Sequence, residues 1–357
     1  MQSLDEKTWK QLSAFGDGAP LHIETTNSSI DGIRLIDDGE KSVPYITRSD
    51  ANNGLARFVS AKNYEFGSDD GGCITVGLDT QTAFYQPHKF VTGQNVQVIT
   101  GENISEDVAQ FMVPILRQQM TAKFNWGGNG ATLSRMKRLT VMLPVTDSGE
   151  PDYAYMAEYA QQKRDTMLAK YRAYVEARIA ELGEVAEIPA LDEKEWKPIF
   201  ISSMFELVRG RENNMAMLED GDTPLISAKA NNNGLKGFVH NPKKIIAGQC
   251  ITLNNDGDGG AGLAYYQPAN MALDSHVTAL VPLIDMSAFV MLFIAKCISG
   301  LHGFFGHGLS ISNPRAKRLR IMLPVTDSGE PDYKYMEQYS KNMMLRKYRQ
   351  YLTFAQQ

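Results

Sequence analysis

The sequence has little of what marks secreted or membrane-embedded proteins. Its 357 residues include three cysteines, an odd number without CxxC spacing, which argues against a disulfide framework and for a reducing compartment. The most apolar stretch, residues 277–297, is interrupted by Pro282 and Asp285 and is better explained as a buried helix than as a membrane span. The first residues are polar and charged, unlike a signal peptide. We therefore expect a soluble, cytoplasmic protein.

Motifs of catalysis are also missing from the sequence. It has no P-loop, HExxH, GxSxG or zinc-spaced Cys/His set, and no Asp-Pro-Pro-Tyr-like segment such as an amino-methyltransferase needs. His302 and His307 are five residues apart, the wrong spacing for one helix face. The Asp-Gly-rich segment 256–260 lacks the downstream Glu of an EF-hand and is better explained as a turn. We expect neither catalysis nor a metal site.

An excess of positive charge is absent too, since the formal net charge is −5. Proteins that bind DNA unaided usually carry a basic patch, because neutralising phosphates supplies most of the non-specific affinity. Either the chain does not bind DNA, or a partner supplies much of the phosphate contact. The composition leaves both possibilities open.

What the sequence does contain is a duplication. Residues 142–156 and 322–336 match at fourteen of fifteen positions, MLPVTDSGEPDYAYM against MLPVTDSGEPDYKYM, 180 residues apart. Residues 4–10 correspond in the same way to 191–197, and 43–59 to 223–239. This period excludes solenoid and propeller repeats, whose units have roughly 20–50 residues. Each half has one order: a globular body, the shared fifteen-residue phrase and a polar helical tail.

Local patterns predict bodies of mixed α/β structure. Asn-Asn-Gly at 52–54 and 232–234 lies between β-prone runs, and Asn-Gly supplies the positive φ values of a tight hairpin turn. Helices are predicted at 106–119 and 287–299, the second with Asp285 as its N-cap. Strands are predicted at 45–47, 57–59, 73–76, 82–85, 96–100 and 277–280.

The repeated phrase is typical of a helix start. Pro151 suits the first helical position, where its missing N–H would be unpaired in any case. A tail of thirty helical residues spans about 45 Å. The two tails are expected to pack against each other as a spacer, the alternative being that each packs on its own domain. The residues predicted for the helix contacts are Tyr155, Tyr159, Leu168, Tyr171, Val175, Tyr335, Tyr339, Met343 and Tyr348.

The order of these elements resembles the specificity subunit of restriction–modification systems, of the type I HsdS-like kind. The resemblance is carried by Pro-Tyr-Ile-Thr and Asn-Asn-Gly early in the first body, by the Tyr-Gln-Pro elements, by the Gly-rich loops and by Lys-Arg-Leu before Leu-Pro. After Leu-Pro, common type I subunits continue with a second Pro and a Glu-Gln-containing helix. Here residues 145–152 stand instead, and Gly-Glu-Pro-Asp-Tyr is more similar to the type IIB, BcgI-like group.

The resemblance implies two target recognition domains, 1–146 and 191–326. Each is followed by a conserved helix segment, 147–190 and 327–357, and the helices pair as an antiparallel coiled-coil spacer. Each domain would recognise one half of an asymmetric bipartite site in double-stranded DNA. The chain itself would be non-catalytic and bind no cofactor. Its partners would be methyltransferase or fused nuclease–methyltransferase subunits, two per specificity subunit, which carry S-adenosylmethionine and Mg²⁺.

Polar and aromatic side chains on the predicted loops are the candidate DNA contacts, since Arg and Lys suit guanine and Asn and Gln suit adenine. For the Asn-Gly pairs the alternative is a purely structural turn, for the aromatic residues core packing, and for the lysines and histidines a solvated surface. The candidates are Thr47, Arg48, Ser49, Asn52, Asn53, Gln86, Trp126, Asn129, Ser227, Lys229, Asn231, Asn232, Lys243, Lys244, Gln267, His302, Phe305 and His307.

Two other classes of protein remain as alternatives. One is a duplicated enzyme or ligand-binding protein with a site between its halves, which would cluster carboxylates or histidines there. The other is an interaction or anti-restriction protein that mimics DNA, which would carry dense acidic patches. The sequence has 41 acidic against 36 basic residues, which is too balanced for a mimic.

Overall fold

The structure is a computed structural model that describes residues 2–16, 19–124, 130–214, 217–257, 260–306 and 308–355. The chain divides into two units, Met1–Tyr171 and Arg172–Gln357. This division lies inside a long helix, so the first globular body shares its unit with the beginning of the first helical tail.

The described part of the first unit contains nine strands. They are β1 (Trp9–Ser13), β2 (His22–Thr25), β3 (Val43–Ile46), β4 (Leu55–Val59), β5 (Cys73–Gly77), β6 (Thr82–Gln86), β7 (Val91–Thr92), β8 (Val96–Thr100) and β9 (Thr140–Pro144). The α-helices are α1 (Glu106–Lys123), α2 (Leu133–Met136) and α3 (Tyr153–Leu182), which continues into the second unit. Short 3-10 helices lie at Gly32–Arg34, Asn52–Gly54 and Ala61–Phe66.

The strands of the first unit form one antiparallel sheet, β2-β8-β5-β6, a second sheet, β4-β3-β7, and the separate pair β1-β9. Every residue of β5 is buried. Because successive side chains point to opposite faces of the sheet, both faces of this strand are covered. Ile74 and Val76 belong to the core that α1 covers, whereas Cys73 packs with Ile46 of the second sheet. The core therefore extends over both faces of the central strand.

Helix α1 has both the cap and the apolar face that its sequence predicts. The Ser105 hydroxyl accepts a hydrogen bond from the Val108 amide at 3.2 Å, and acidic residues in the first turn complement the positive end of the helix. Residues four apart on one face are buried: Val108, Met112, Leu116 and Met120. The helix runs four residues beyond the predicted end at 119.

The described part of the second unit repeats this plan. Its strands are β10 (Trp196–Phe200), β11 (Phe205–Arg209), β12 (Asp220–Ile226), β13 (Leu235–Val239), β14 (Ile245–Ile246), β15 (Cys250–Asn254), β16 (Ala264–Gln267), β17 (Met271–Leu273), β18 (Val277–Pro282) and β19 (Arg320–Pro324). Its helices are α4 (Ile201–Met204), α5 (Ala288–Ser299), α6 (Asn313–Lys317) and α7 (Tyr333–Phe354), with 3-10 helices at Leu191–Glu193, Asn232–Gly234 and His302–Phe304.

The sheets of the second unit are β11-β18-β15-β16, β13-β12-β17-β14 and the pair β10-β19. Helix α5 packs its apolar face on the core that contains Ile251 and Leu280. The predicted N-cap was wrong, since Ser287 and not Asp285 accepts the hydrogen bond from the Val290 amide, at 3.4 Å. Ser287 directly precedes the first helical residue, whereas Asp285 is two residues further upstream.

The repeated phrase forms the same turn in both units. Residues 145 and 151 make an isolated β-bridge, as do 325 and 331, so Pro151 lies outside the helix that was predicted to begin there. Helix α3 begins at Tyr153, and the Asp152 carboxylate accepts a hydrogen bond from the Tyr155 amide at 3.0 Å. Asp332 caps α7 through the Tyr335 amide at the same distance. The phrase is therefore a strand end, a turn and a helix cap.

Among the helices that the structure describes, none is both long and apolar enough to cross a membrane.

Candidate nucleic-acid interface

The connection between β3 and β4 presents the predicted polar residues of the first unit. The Thr47 amide donates to the Gly54 carbonyl at 2.8 Å, and Asn52 and Asn53 have φ values of 51° and 54°. Asparagine adopts this left-handed conformation more readily than most residues. The predicted hairpin is confirmed, but its connection spans residues 47–54 and is not a tight two-residue turn. Arg48, Asn52 and Asn53 are exposed on it.

Gln86 lies beneath this connection and not on the surface. Gln267 lies in the same way beneath the equivalent connection of the second unit, residues 227–234. Each side chain is 6% exposed. The Gln86 amide donates to the Asn53 carbonyl at 2.9 Å, and the Gln267 amide donates to the Asn233 carbonyl at 2.8 Å. The sequence predicted that both glutamines contact DNA, whereas in the structure neither side chain is presented on the surface. They are positioning residues, because each donates a hydrogen bond to the backbone of the connection above it.

A cluster centred on Asp79 adjoins the connection in the first unit. The Arg48 Nη1 and Asp79 Oδ2 atoms are 2.6 Å apart, and the Asn95 Nδ2 donates to the same oxygen at 3.2 Å. The Thr80 hydroxyl donates to the Arg48 carbonyl at 2.8 Å. The cluster ties the β3–β4 connection to the β5–β6 turn and holds Arg48 and Asn95 side by side. Asp79 and Asn95 were missed in the sequence because they are sixteen residues apart in no recognisable motif.

The second unit repeats the connection at residues 227–234. The Ser227 amide donates to the Gly234 carbonyl at 2.9 Å, and Asn232 and Asn233 both have φ values of 50°. Asn231 and Asn232 are exposed, whereas Ser227 is 5% exposed. The Lys229 ammonium donates to the Leu235 carbonyl at 3.1 Å, which folds this side chain back over its own hairpin.

A cleft of about 690 Å³ opens beside this second connection. Within it the His276 Nδ1 and Asp256 Oδ1 atoms are 2.8 Å apart, and the Asp274 carboxylate accepts from the His276 amide at 3.0 Å. The hydrogen bond to Asp256 raises the pKa of His276, and burial opposes this only in part. The lining combines both signs of charge: Ser227, Ala228, Lys229, Lys236, Asp256, Gly257, Asp274, His276 and Ser310.

The remaining loop candidates divide into surface and packed residues. Lys243 and Lys244 are exposed, and their backbone amides donate to the buried Glu212 carboxylate at 2.7 and 3.4 Å.

The His302 Nδ1 donates to the Ala261 carbonyl at 2.6 Å. Phe305 is half-buried against the core beneath α5, which agrees with the packing alternative. Thr47 and Ser49 are half-buried, while Trp126, Asn129 and His307 lie outside the described residues.

Within the second unit, the end of α3 and helix α7 run in opposite directions. Arg172 donates to the Ala355 carbonyl at 2.9 Å, near the end of α7. Further along the chain, Glu184 accepts from Arg349 at 2.7 Å. Residues later in the first segment thus contact residues earlier in the second, as in an antiparallel pair. Val175, which has no exposed surface, is buried on this part of α3.

The predicted helix contacts differ along the two tails. Near the helix starts, Tyr159 packs edge-on to Phe111 with centroids 5.6 Å apart, and Tyr339 does the same to Phe293 at 5.5 Å. Tyr155 and Tyr335 lie buried beside them. These tyrosines join each helix to its own globular body, as the alternative interpretation of the tails expected.

Further along the tails, exposure replaces burial. Leu168 and Tyr171 are 49% and 46% exposed, so neither is buried in the helix contact predicted from the sequence. Met343 is also partly exposed. Tyr348 packs edge-on to Tyr174 with ring centroids 6.4 Å apart. The predicted set therefore combines residues of two different surroundings.

The described residues offer hydrogen bonds and charges more than reactive groups. Burial raises the pKa of Cys73 to about 12 and the pKa values of Cys250 and Cys297 to about 11, so these thiols stay protonated and unreactive at neutral pH. Within the described ranges, no three His, Cys, Asp or Glu side chains are grouped so that they could hold a metal ion.

Comparison with known proteins identifies the family. The model of the type I restriction modification DNA specificity domain matches residues 22–169 and again residues 193–351. The specificity subunit S.BcgI of a type II restriction enzyme from Heyndrickxia coagulans is 24% identical over 306 residues, covering 85% of this chain and 86% of that protein.

Two solved structures align over almost the whole chain. The S subunit of a type I restriction-modification system from M. genitalium has a TM-score of 0.49 and 13% identity, covering 99% of this chain and 92% of that one. The HsdS subunit from Thermoanaerobacter tengcongensis has a TM-score of 0.31 and 14% identity, covering 97% and 90%.

The family match recurs in the two halves that the duplication defines, and together the matched ranges cover most of the chain. Each half contains a mixed α/β recognition domain. The chain therefore belongs to the type I restriction–modification DNA specificity family, as a non-catalytic specificity subunit with two tandem recognition domains.

Proposed function

We propose that each unit recognises one half of an asymmetric, bipartite DNA sequence. The observation that carries the proposal is the pair of loop faces. In both units an Asn-Asn-Gly connection is anchored by a buried glutamine, while the polar side chains around it differ. A shared frame with different polar groups is what two different half-sites require, because base pairs differ in their pattern of major-groove donors and acceptors.

We further propose that the helical tails set the distance between the half-sites and dock the catalytic subunits. The reversed order of contacts between the end of α3 and α7 supports an antiparallel spacer. Helix α3 also displays an exposed stretch, residues 161–170, that the described chain leaves open to a partner. Met167 and Leu168 on this stretch are 69% and 49% exposed, an unusual surface for a helix without a partner.

The partners in this proposal are methyltransferase subunits, or a fused nuclease–methyltransferase chain, in two copies. They bind S-adenosylmethionine and Mg²⁺ and perform adenine methylation and cleavage. The 24% identity to S.BcgI supports the BcgI-like subgroup, for which the fused partner is expected. The net charge of −5 is consistent with a partner that supplies much of the phosphate contact.

The decisive experiment expresses the chain with its cognate catalytic subunit in a host without DNA methylation and maps the modified adenines. A motif of two different specified halves, separated by a fixed number of unspecified base pairs, would support the proposal. Modified adenines without such a motif, despite an active partner, would refute it.

A further inference from the structure

Asp79 with Asn95 in the first unit and Asp256 with His276 in the second form two clusters, which occupy equivalent positions in the two units. Strand register fixes this equivalence, because Ile74 pairs with Ile99 in the first unit as Ile251 pairs with Leu280 in the second. Asp79 and Asp256 each lie five residues after the isoleucine. Asn95 and His276 each lie four residues before the partner on the neighbouring strand.

The clusters share their geometry and differ in their chemistry. In each, an aspartate that follows the central strand makes a hydrogen bond to the side chain that precedes the neighbouring strand, at 3.2 Å to Asn95 and 2.8 Å to His276. Arg48 adds an ion pair in the first unit, where the equivalent residue of the second is Ala228. Both units therefore have an aspartate at this position, but the side chain that hydrogen-bonds to it differs.

Both clusters lie where a duplex could reach them. Asn95 is exposed, and the His276 side chain is 57% exposed at the cleft beside residues 227–234. Asp256 occupies Nδ1 of the imidazole, which leaves Nε2 as the ring nitrogen for a ligand. A protonated imidazole there donates a hydrogen bond, and guanine presents acceptors, N7 and O6, in the major groove. An asparagine amide both donates and accepts, which suits N6 and N7 of adenine.

We propose that Asn95 and His276 are specificity-determining residues, Asn95 for an adenine in one half-site and His276 for a guanine in the other, with Asp79 and Asp256 as their positioning residues. This proposal rests on the proposed function. It adds the residue in each unit that distinguishes one base from the others, and it makes the second half-site sensitive to pH.

The charged groups around His276 determine the direction of that pH dependence. Asp256 and Asp274 favour the imidazolium, while Arg209 of β11 opposes it, and Lys229 and Lys236 line the same cleft. The net effect is a pKa above the ordinary value, so the proton is held at lower pH and lost as pH rises through this pKa. Discrimination in favour of guanine should therefore weaken as pH rises, while recognition by the first unit should not change with pH.

The test measures binding of the complex with its catalytic partner to duplexes in which each base pair of the mapped site is replaced in turn. At one guanine of one half-site, wild type should discriminate by about 5- to 150-fold, the usual effect of one mismatched base pair in a recognised site. His276→Asn should lose that discrimination at that position alone. Replacing the same guanine by 7-deazaguanine, which removes N7 and leaves the phosphates intact, should weaken wild type and not the variant.

Two matched variants complete the design. Asn95→His should change the preferred base at one position of the other half-site. His22→Asn should not change the discrimination at any position. His22 makes the same kind of pair as His276, with Glu24 at 2.6 Å, but it lies at the other end of β8 from Asn95.

Unchanged discrimination in His276→Asn would overturn the proposal, as would a loss spread evenly over all positions, which indicates a phosphate contact. If wild type itself shows no bipartite site, the proposed function has failed, and the role of His276 fails with it.

Discussion

Lys7 and Asp152, 145 residues apart in the chain, form an ion pair of 2.7 Å that joins the first residues of the protein to the cap of α3. Lys194 and Asp332 repeat it at 2.8 Å. In both copies the lysine also lies over a tyrosine ring of the helix, at about 5 Å from the centroid of Tyr155 in the first. This junction explains why the repeated phrase and the segment 4–10 are conserved together between the two halves.

Replacing Lys7 with methionine should destabilise the first unit. Both partners are largely buried, with side chains 14% and 17% exposed, so the substitution leaves a carboxylate without its cation. We expect the free energy of unfolding to fall by about 1–3 kcal/mol, the usual cost of losing a hydrogen bond to a charged group. Urea denaturation followed by tryptophan fluorescence measures this, since Trp9 stacks on Phe111 at the same junction.

Lys10→Met is the control for this prediction, because the Lys10 ammonium makes a long, exposed hydrogen bond of 3.4 Å to the Gly149 carbonyl in place of a buried ion pair. A loss of stability in Lys10→Met as large as in Lys7→Met would contradict the role of the buried pair.

The same junction should make the protein sensitive to acid. The hydrogen bond from Lys7 lowers the pKa of Asp152. Burial alone would raise the pKa of Asp332, but the hydrogen bonds from Lys194 and the Tyr335 amide outweigh it, so this pKa is lowered too. A carboxyl whose pKa is lower in the folded state stabilises the fold above its unfolded value of about 3.9 and loses that contribution as pH falls through the folded value.

A pH series of the free energy of unfolding tests this prediction. Asp152→Asn keeps a side chain able to cap the helix while it removes the titrating group. The variant should therefore be less stable at neutral pH and should lose less stability on acidification than wild type. Parallel pH profiles of the two proteins would show that Asp152 does not contribute.

Removing a buried glutamine should impair one half-site and leave the other intact. In Gln86→Met the Asn53 carbonyl loses its donor, and the 47–54 connection loses the hydrogen bond that fixes its position, a net contribution of about 0.5–1.5 kcal/mol. Binding of the complex to duplexes with changes in either half-site measures the effect. Gln267→Met is the matched variant and should impair the opposite half. If both variants impair the same half, the assignment of one unit to one half-site is wrong.

The sequence was sufficient for the duplication, the mixed α/β class and most of the elements, because these follow from local pattern. Strands 73–76 and 82–85 and the helix from residue 106 were found by periodicity and turn residues alone. The role of Gln86 was not predictable in this way. Its Tyr-Gln-Pro context does not show which face of β6 is buried, so the sequence could not place this side chain beneath the connection.

The clusters of Asp79 with Asn95 and of Asp256 with His276 were missed for a different reason. Each pair joins the end of one strand to the beginning of another, and only the pairing of β5 with β8 and of β15 with β18 brings the side chains together. The predicted helix contacts were mixed for a third reason. Tyr159 and Leu168 are nine residues apart, which places them on opposite sides of an α-helix, so they cannot belong to one contact face.

Lengthening α3 should lengthen the unspecified spacer of the recognised site. Four residues inserted after Gln162 add about one turn, or about 6 Å, and nearly preserve the direction of the helix faces. At about 3.4 Å per base pair, the two half-sites should move apart by about two base pairs. Neither half-site should change, because the loops that carry Arg48 and His276 are untouched. Mapping modified adenines in the presence of the partner gives the spacing directly. The same four residues inserted near residue 38, in the exposed loop before β3, are the control and should leave the spacing as it was. An unchanged spacing after the insertion in α3 would rule out the helix as the element that sets the distance, and each tail would then serve its own domain alone.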